Sequence, residues 1–272
     1  MPSDEVLADY NAAYFESAHS GVSEAQAARP FHRAVNFLRF KHVLPYLERL
    51  PKETLDQLRI LEMGPGLGDF ATHLLARIPT AQYSVLESDV SCRNALAERG
   101  FATFGVFDDI PEDAVFDLVV MSHVLEHVVN PLMVISRLRR LLQPRGILFI
   151  EVPCRDHEHK QVDEPHLLFF DRDPMQKLLT RAGFREIEVT YHGRSLRQLV
   201  RESGPATLSA RIVRRLGMEV VRRGLWPVFG SLSAITNREE RAAVWWYQAA
   251  KERSEPSWWL RAVATMPDYL GS

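Results

Sequence analysis

Six short apolar runs alternate with stretches of helical spacing between residues 58 and 191, and that alternation restricts the fold more than any other feature of the chain. "LRILEMG" (58–64) ends in glycine, and "FATHLLARI" (70–78) then carries apolar residues at helical intervals. "QYSVLE" (82–87) and "SCRNALAERG" (91–100) repeat the pair, with Gly100 stopping the helix. "FATFGVF" (101–107) and "FDLVVMS" (116–122) read as a third and a fourth strand. "MVISRLRRLLQPRG" (133–146) is an amphipathic helix closed by Pro144 and Gly146, and "ILFIEVP" (147–153) is a fifth strand. "DPMQKLLTRAGF" (173–184) opens another helix at an Asp-Pro cap, and "REIEVTY" (185–191) is a sixth strand. Strands apolar on both faces and separated by helices belong in a parallel sheet covered on both sides. The predicted class is α/β, doubly wound and mostly parallel.

The flanks behave differently. Residues 1–56 read as a helical, aromatic segment (Tyr10, Tyr14, Phe15, Phe31, Phe37, Phe40), 57–191 as the alternating core, and 192–272 as a basic, helical extension. Within that extension "AAVWWYQAAKE" reads as a seventh strand near 243–250, alternating Val244, Trp246 and Gln248. With 272 residues and a formal charge of -2, the chain offers no whole-molecule field for a polyanion, so nucleic acid is not an expected partner. Cys92 and Cys154 fit no metal spacing or disulfide framework. The acidic N-terminus lacks the apolar core of a signal peptide, and no run approaches the roughly 18 apolar residues of a membrane span. A cytoplasmic protein is expected.

The first strand runs into "LEMGPGLGDF" (61–70), where glycine occupies every second position. A glycine-rich turn between a first strand and a helix is where an open α/β sheet binds a nucleotide-like ligand. Dinucleotide sites want G-x-G-x-x-G/A, and counting from Gly64 the third position is Asp69. A carboxylate at that helix start would also oppose a pyrophosphate. The observed spacing is E-x-G-x-G-x-G, from Glu62 to Gly68, which suits a ligand carrying a sulfonium and an ammonium.

Over roughly residues 57 to 191 the chain resembles the class I S-adenosylmethionine-dependent methyltransferases. "ILEMGPGLGDF", "SVLES", "FDDIPEDAVFDLVVMSHVLEHV", "LLQPRGILFIEVP" and "EPHLLFF…LLTRAGF" carry the resemblance, in order. It implies a Rossmann-like sheet with an N-terminal helical lid and a helical insertion before the last strand. It further implies that Gly64, Gly66 and Gly68 admit the methionine part of S-adenosylmethionine and that Glu62 holds its amino group. Glu87, at the end of the second strand, would take the ribose hydroxyls. Asp108 or Asp109 would meet the adenine amino group, and Ser122 would lie beside the methionine moiety.

Beyond the fourth strand comes "SHVLEHV" (122–128). His123 is the candidate base for an acceptor hydroxyl, since imidazole titrates nearest neutrality. The segment is similar to the E-x-x-E-H of the ubiquinone-biosynthesis O-methyltransferases, whose positions are associated with a divalent ion. With His123 in place of the first acid, no metal is expected, and Glu126 reads as a structural hydrogen-bonder. His127 is grouped with the substrate and lid residues. His166, in "DEPHLLFF" (163–170), is a second catalytic candidate, in a block that by resemblance closes one side of the acceptor pocket. Tyr14 and His19, in "YFESAHSG" (14–21), are candidates for a lid that excludes water. The arginines of "ARIVRRLGMEVVRRG" (210–224) read first as a solvated helix face.

The expected function is methyl transfer to a small-molecule or glycan acceptor, at oxygen, with S-adenosylmethionine as cofactor. The alternatives are an N-methyltransferase, an enzyme using the cofactor's carbon skeleton by internal displacement, and a non-catalytic partner subunit that binds it. A homodimer is one assembly the Trp-rich tail allows.

Overall fold

The computed structural model describes residues 22–160, 166–202, 208–225, 235–245 and 248–268. Helix α1 (Val22–Leu47) and the short α2 (Lys52–Asp56) precede β1 (Arg59–Met63). There follow α3 (Asp69–Arg77), β2 (Gln82–Leu86), α4 (Val90–Glu98), β3 (Ala102–Phe104), β4 (Phe116–Ser122), α5 (Pro131–Arg140) and β5 (Leu142–Pro153). Then come α6 (Arg172–Arg181), β6 (Arg185–Ser195), α7 (Leu196–Glu202), α8 (Leu208–Arg222), α9 (Arg238–Trp245), β7 (Glu252–Arg253) and β8 (Ser257–Thr265).

The strands form one eight-stranded sheet in the order β3-β2-β1-β4-β5-β8-β6-β7. β1 to β5 are parallel to one another, whereas β8 runs antiparallel between β5 and β6. The strand order reverses between β1 and β4, and ligands of such sheets bind at the carboxyl ends of the strands beside that point. Alternate residues of β1 and β4 face opposite layers. Ile60, Leu118 and Val120 join Val43, Leu47, Phe70 and Leu74 from α1 and α3. Leu61, Val119 and Met121 join Ile135, Leu138, Met175 and Leu179 from α5 and α6. Burial on both faces is why these strands read as unbroken apolar runs.

Two expectations give way. The strand expected near 243–250 overlaps the end of helix α9, which closes at Trp245. Asn237 Oδ1 accepts from the amides of Glu239 (2.9 Å) and Glu240 (3.2 Å), a side-chain N-cap that outweighs the local alternation. The strand that completes the sheet is β8, in the Trp-rich tail, so the sheet has eight strands where seven were expected. In the N-terminal segment, the second half of α1 places Phe40, Val43 and Leu47 in the core.

Candidate active site

β1 ends at Met63, and the chain turns through Gly64–Gly68 before α3 begins. Gly64, Gly66 and Gly68 have φ of 66°, 53° and 70°, the left-handed region that costs an L side chain roughly 1–2 kcal/mol. Their surroundings differ. A Cβ on Gly64 would collide with the Val124 side chain, and one on Gly68 would lie 2.8 Å from Leu96 Cδ2. A Cβ on Gly66 would meet nothing within 4 Å. Packing inside the protein therefore demands the outer two glycines, while Gly66 borders open space.

Acids surround that space. Glu62 is buried on β1, and the Tyr83 hydroxyl donates to its Oε2 at 2.7 Å. Burial pushes the Glu62 carboxyl up to about 7, against the pull of Tyr83 and Arg39, so a bound ammonium would favour its ionised form. Glu87 follows β2 directly; its Oε2 accepts from the Gly66 amide (3.1 Å) and its Oε1 from the Asp89 amide (2.9 Å). Burial raises this carboxyl as well, with those two amides opposing. Ser122 closes β4, and its Oγ is buried without a hydrogen-bond partner, a group that a ligand beside β4 would satisfy.

The two adenine candidates are committed differently. Asp109 Oδ2 accepts from the amides of Val106 (3.0 Å) and Gly105 (2.8 Å), which hold its carboxyl below the usual range. Asp108 is exposed and paired with Arg137 Nη2 at 2.5 Å. An open edge at Gly66, a buried acid for an ammonium and an acid at the end of β2 together fit S-adenosylmethionine.

His123 follows β4 with φ 55°, its amide donating to the Glu151 carbonyl at 2.8 Å. Its ring lies between two carboxylates: Nδ1 is 3.3 Å from Glu126 Oε1, and Nε2 is 3.4 Å from Glu151 Oε1. Burial lowers the imidazole pKa, but the contacts with Glu126 and then Glu151 outweigh it and leave the pKa raised. Glu151 is saturated elsewhere, accepting from Arg39 Nε at 2.7 Å and Arg261 Nε at 2.6 Å. Although burial raises its carboxyl, those guanidinium groups hold it well below the ordinary value.

Glu126 is almost fully buried, and neither of its carboxylate oxygens accepts a hydrogen bond. Its backbone carbonyl accepts from the amides of Leu167 (2.8 Å) and Leu168 (3.1 Å), which brings the 166–170 segment against 123–127. His166 Nδ1 contacts Asp156 Oδ2 at 2.9 Å, and its ring meets that of His127 edge-on at 4.8 Å. Glu126, His127 and His166 each offer one potential metal-ligand atom, all within 4.8 Å of one another. Cys154 is buried with its thiol pushed up to about 12 by that burial, an unreactive state.

The structure thus gathers Glu62, the three glycines, Glu87 and Ser122 around the turn, and His123, Glu126, His127 and His166 beyond β4. Tyr14 and His19 lie outside the described residues. Sequence reasoning missed Glu151, Arg39, Arg261 and Asp156. A lone acid inside "ILFIEVP" was the one readable signal for Glu151, since an acid in a doubly buried strand needs a partner.

Residues 36–204 match a family model described as a methyltransferase domain. A probable S-adenosylmethionine-dependent methyltransferase of Mycolicibacterium smegmatis is 29% identical over 166 residues, 57% of this chain and 63% of that protein. The ubiquinone biosynthesis O-methyltransferase of Rickettsia conorii is 26% identical over 144 residues, 50% of each chain. The chain therefore spans less than two thirds of either relative. The crystal structure of a Thermotoga maritima S-adenosylmethionine-dependent methyltransferase, described as a possible histamine N-methyltransferase, superposes with TM-score 0.56 at 17% identity. It covers 92% of this chain and 99% of its own, a likeness of fold.

Proposed function

The chain belongs to the class I S-adenosylmethionine-dependent methyltransferases, and we propose that it moves the activated methyl group of that cofactor onto a hydroxyl of a small-molecule or sugar acceptor. Gly66 gives the cofactor room, Glu62 takes its ammonium and Glu87 its ribose hydroxyls. Asp108 and Asp109 stand at the adenine end. The acceptor meets His123.

The observation that carries the choice of oxygen is the environment of that imidazole. A hydroxyl must lose its proton, and a base whose pKa lies near the working pH does this best. Glu126, with no hydrogen bond of its own, lies 3.3 Å from Nδ1, and its charge favours the imidazolium that forms when the base takes the proton. Nε2 faces Glu151, whose oxygens are already taken by two arginines, and the 3.4 Å separation exceeds a good hydrogen bond. An acceptor hydroxyl can therefore compete for Nε2. His127 and His166 line the same side and position the acceptor.

The test offers methyl-labelled cofactor with hydroxyl-bearing and amine-bearing acceptors. The expected result is label on oxygen, with kcat for His123→Ala reduced by about 10²- to 10⁴-fold, the range for a positioned base. Label on nitrogen, or an unchanged kcat in that variant, would reject the reading in favour of N-methylation. Loss of the cofactor's carbon skeleton to the product would reject it in favour of internal displacement.

A further inference from the structure

Helix α8 turns an apolar face away from the protein. Ile212, Val213 and Leu216 are 50%, 61% and 61% exposed, and Leu225 just beyond the helix is 72% exposed. At about 100° per residue these three helical side chains fall within one arc of about 100°, and Arg211, Arg214 and Arg215 fall within another. The helix meets the rest of the molecule through its second half. Val221 is buried there, and Gly217 has no side chain, so the Trp245 ring of α9 approaches to 2.7 Å from where a Cβ would stand.

The charge is as uneven as the polarity. The first nine residues of α8, 208–216, contain three arginines and no acid. The single acid of the helix, Glu219, is paired with Arg222 at 2.5 Å and Arg223 at 2.7 Å. Arg211 and Arg215 make no ion pair with any described residue. A local cationic helix thus sits on a chain whose formal charge is -2.

We infer that α8 docks the protein on an anionic membrane surface, with Ile212, Val213 and Leu216 entering the boundary between headgroups and acyl chains and the arginines meeting lipid phosphates. A helix with a strongly cationic face and an exposed apolar face lies in the plane of such a surface. Each arginine near an anionic leaflet adds attraction that salt screens. Nucleic acid would use the arginines and leave three aliphatic side chains in water. A second copy of the chain would cover the aliphatic side chains, but it would bring Arg211 and Arg215 of both copies together with no acid in 208–216 to offset them. Among the described residues no helix is long and apolar enough to cross a membrane, so α8 lies on the surface.

Co-flotation of the full chain with vesicles tests this, using phosphatidylcholine alone and phosphatidylcholine mixed with phosphatidylglycerol. Binding is expected only to the mixed vesicles, and it should weaken as salt is raised. Val213→Asp with Leu216→Asp should lower the partition coefficient by at least about tenfold, because two apolar side chains no longer enter the lipid. Arg211→Glu with Arg215→Glu should remove the preference for phosphatidylglycerol. Both variants should keep the far-UV spectrum and melting temperature of the parent. Absence of vesicle binding by the parent would overturn the inference. So would retention by duplex DNA with no vesicle binding, or a dimer that the Asp substitutions dissolve while lipid is ignored.

Discussion

Gly64 and Gly66 share a backbone conformation but not an environment, and their substitutions should separate folding from binding. Gly64→Ala drives a Cβ into Val124 and should lower the melting temperature. Gly66→Val meets no protein atom near the backbone, so its cost should fall on S-adenosylmethionine affinity, at least about tenfold by calorimetry, beyond the roughly 1–2 kcal/mol of left-handed strain. An undiminished affinity in Gly66→Val would show that the open side of the turn is not where the cofactor lies. His123 makes a second residue-scale prediction. A base acts in its unprotonated form, and the carboxylates raise this imidazole pKa, so the rate should climb with pH through a value above 6.5. Glu126→Gln removes the largest upward influence and should move that limb toward lower pH while kcat falls. A limb that stays in place would dissociate Glu126 from His123. Activity should also survive EDTA without added Mg²⁺, because the Glu126–His127–His166 group contains a single carboxylate and hard cations want several oxygens, although two histidines and a glutamate are a donor set that suits zinc. Inactivation reversed by added Mg²⁺ or Zn²⁺ would instead make that group a metal centre.

Single elements here do more than one job. β8 closes the sheet between β5 and β6 and also sets Arg261 directly opposite Glu151. α1 covers the sheet with Phe40, Val43 and Leu47 and supplies Arg39 to the same carboxylate at 2.7 Å. α1 and β8 thus converge on one buried acid of β5 beside His123, and a shift in any of the three would be felt at that imidazole. The residues before α1 make a separate prediction. Deleting 1–21 removes no described element. Turnover or cofactor affinity should nevertheless fall if Tyr14 and His19 close over the ligand. Kinetics equal to the full chain would make that segment dispensable.

At the scale of the whole molecule, burial of ionisable groups sets the response to acid. Burial lowers the His42 pKa to about 3 and the His192 pKa to about 2, with Arg261 pushing both the same way. An unfolded histidine takes up its proton near 6.5, so unfolding binds protons below that pH. The stability these two histidines supply is complete above 6.5 and declines as pH falls toward their folded values, by up to about 1.4 kcal/mol per pH unit for each. Glu62, raised from 4.5 to about 7, opposes this, because the stability it adds is complete below 4.5 and is lost as pH rises to about 7. His192→Gln should therefore flatten the acid limb of a stability–pH profile, and an unchanged slope would show that His192 is not buried neutral. Much of this molecule was legible in the residues alone. Alternating apolar runs specify a covered parallel sheet, and the glycine turn lies within a few residues of its own strand, so the placing of Glu62, Gly66, Glu87 and Ser122 at strand ends could be read without coordinates. What joins distant segments could not. The alternation at 244–248 was real, yet the cap at Asn237 made a helix of its first part and the Trp-rich tail took the strand position. Glu151 and Arg261 are partners across 110 residues, and His166 comes beside His127 through the carbonyl of Glu126. Local periodicity reports which face of an element is buried, whereas the pairing of a buried charge depends on the register between elements, which only tertiary packing decides.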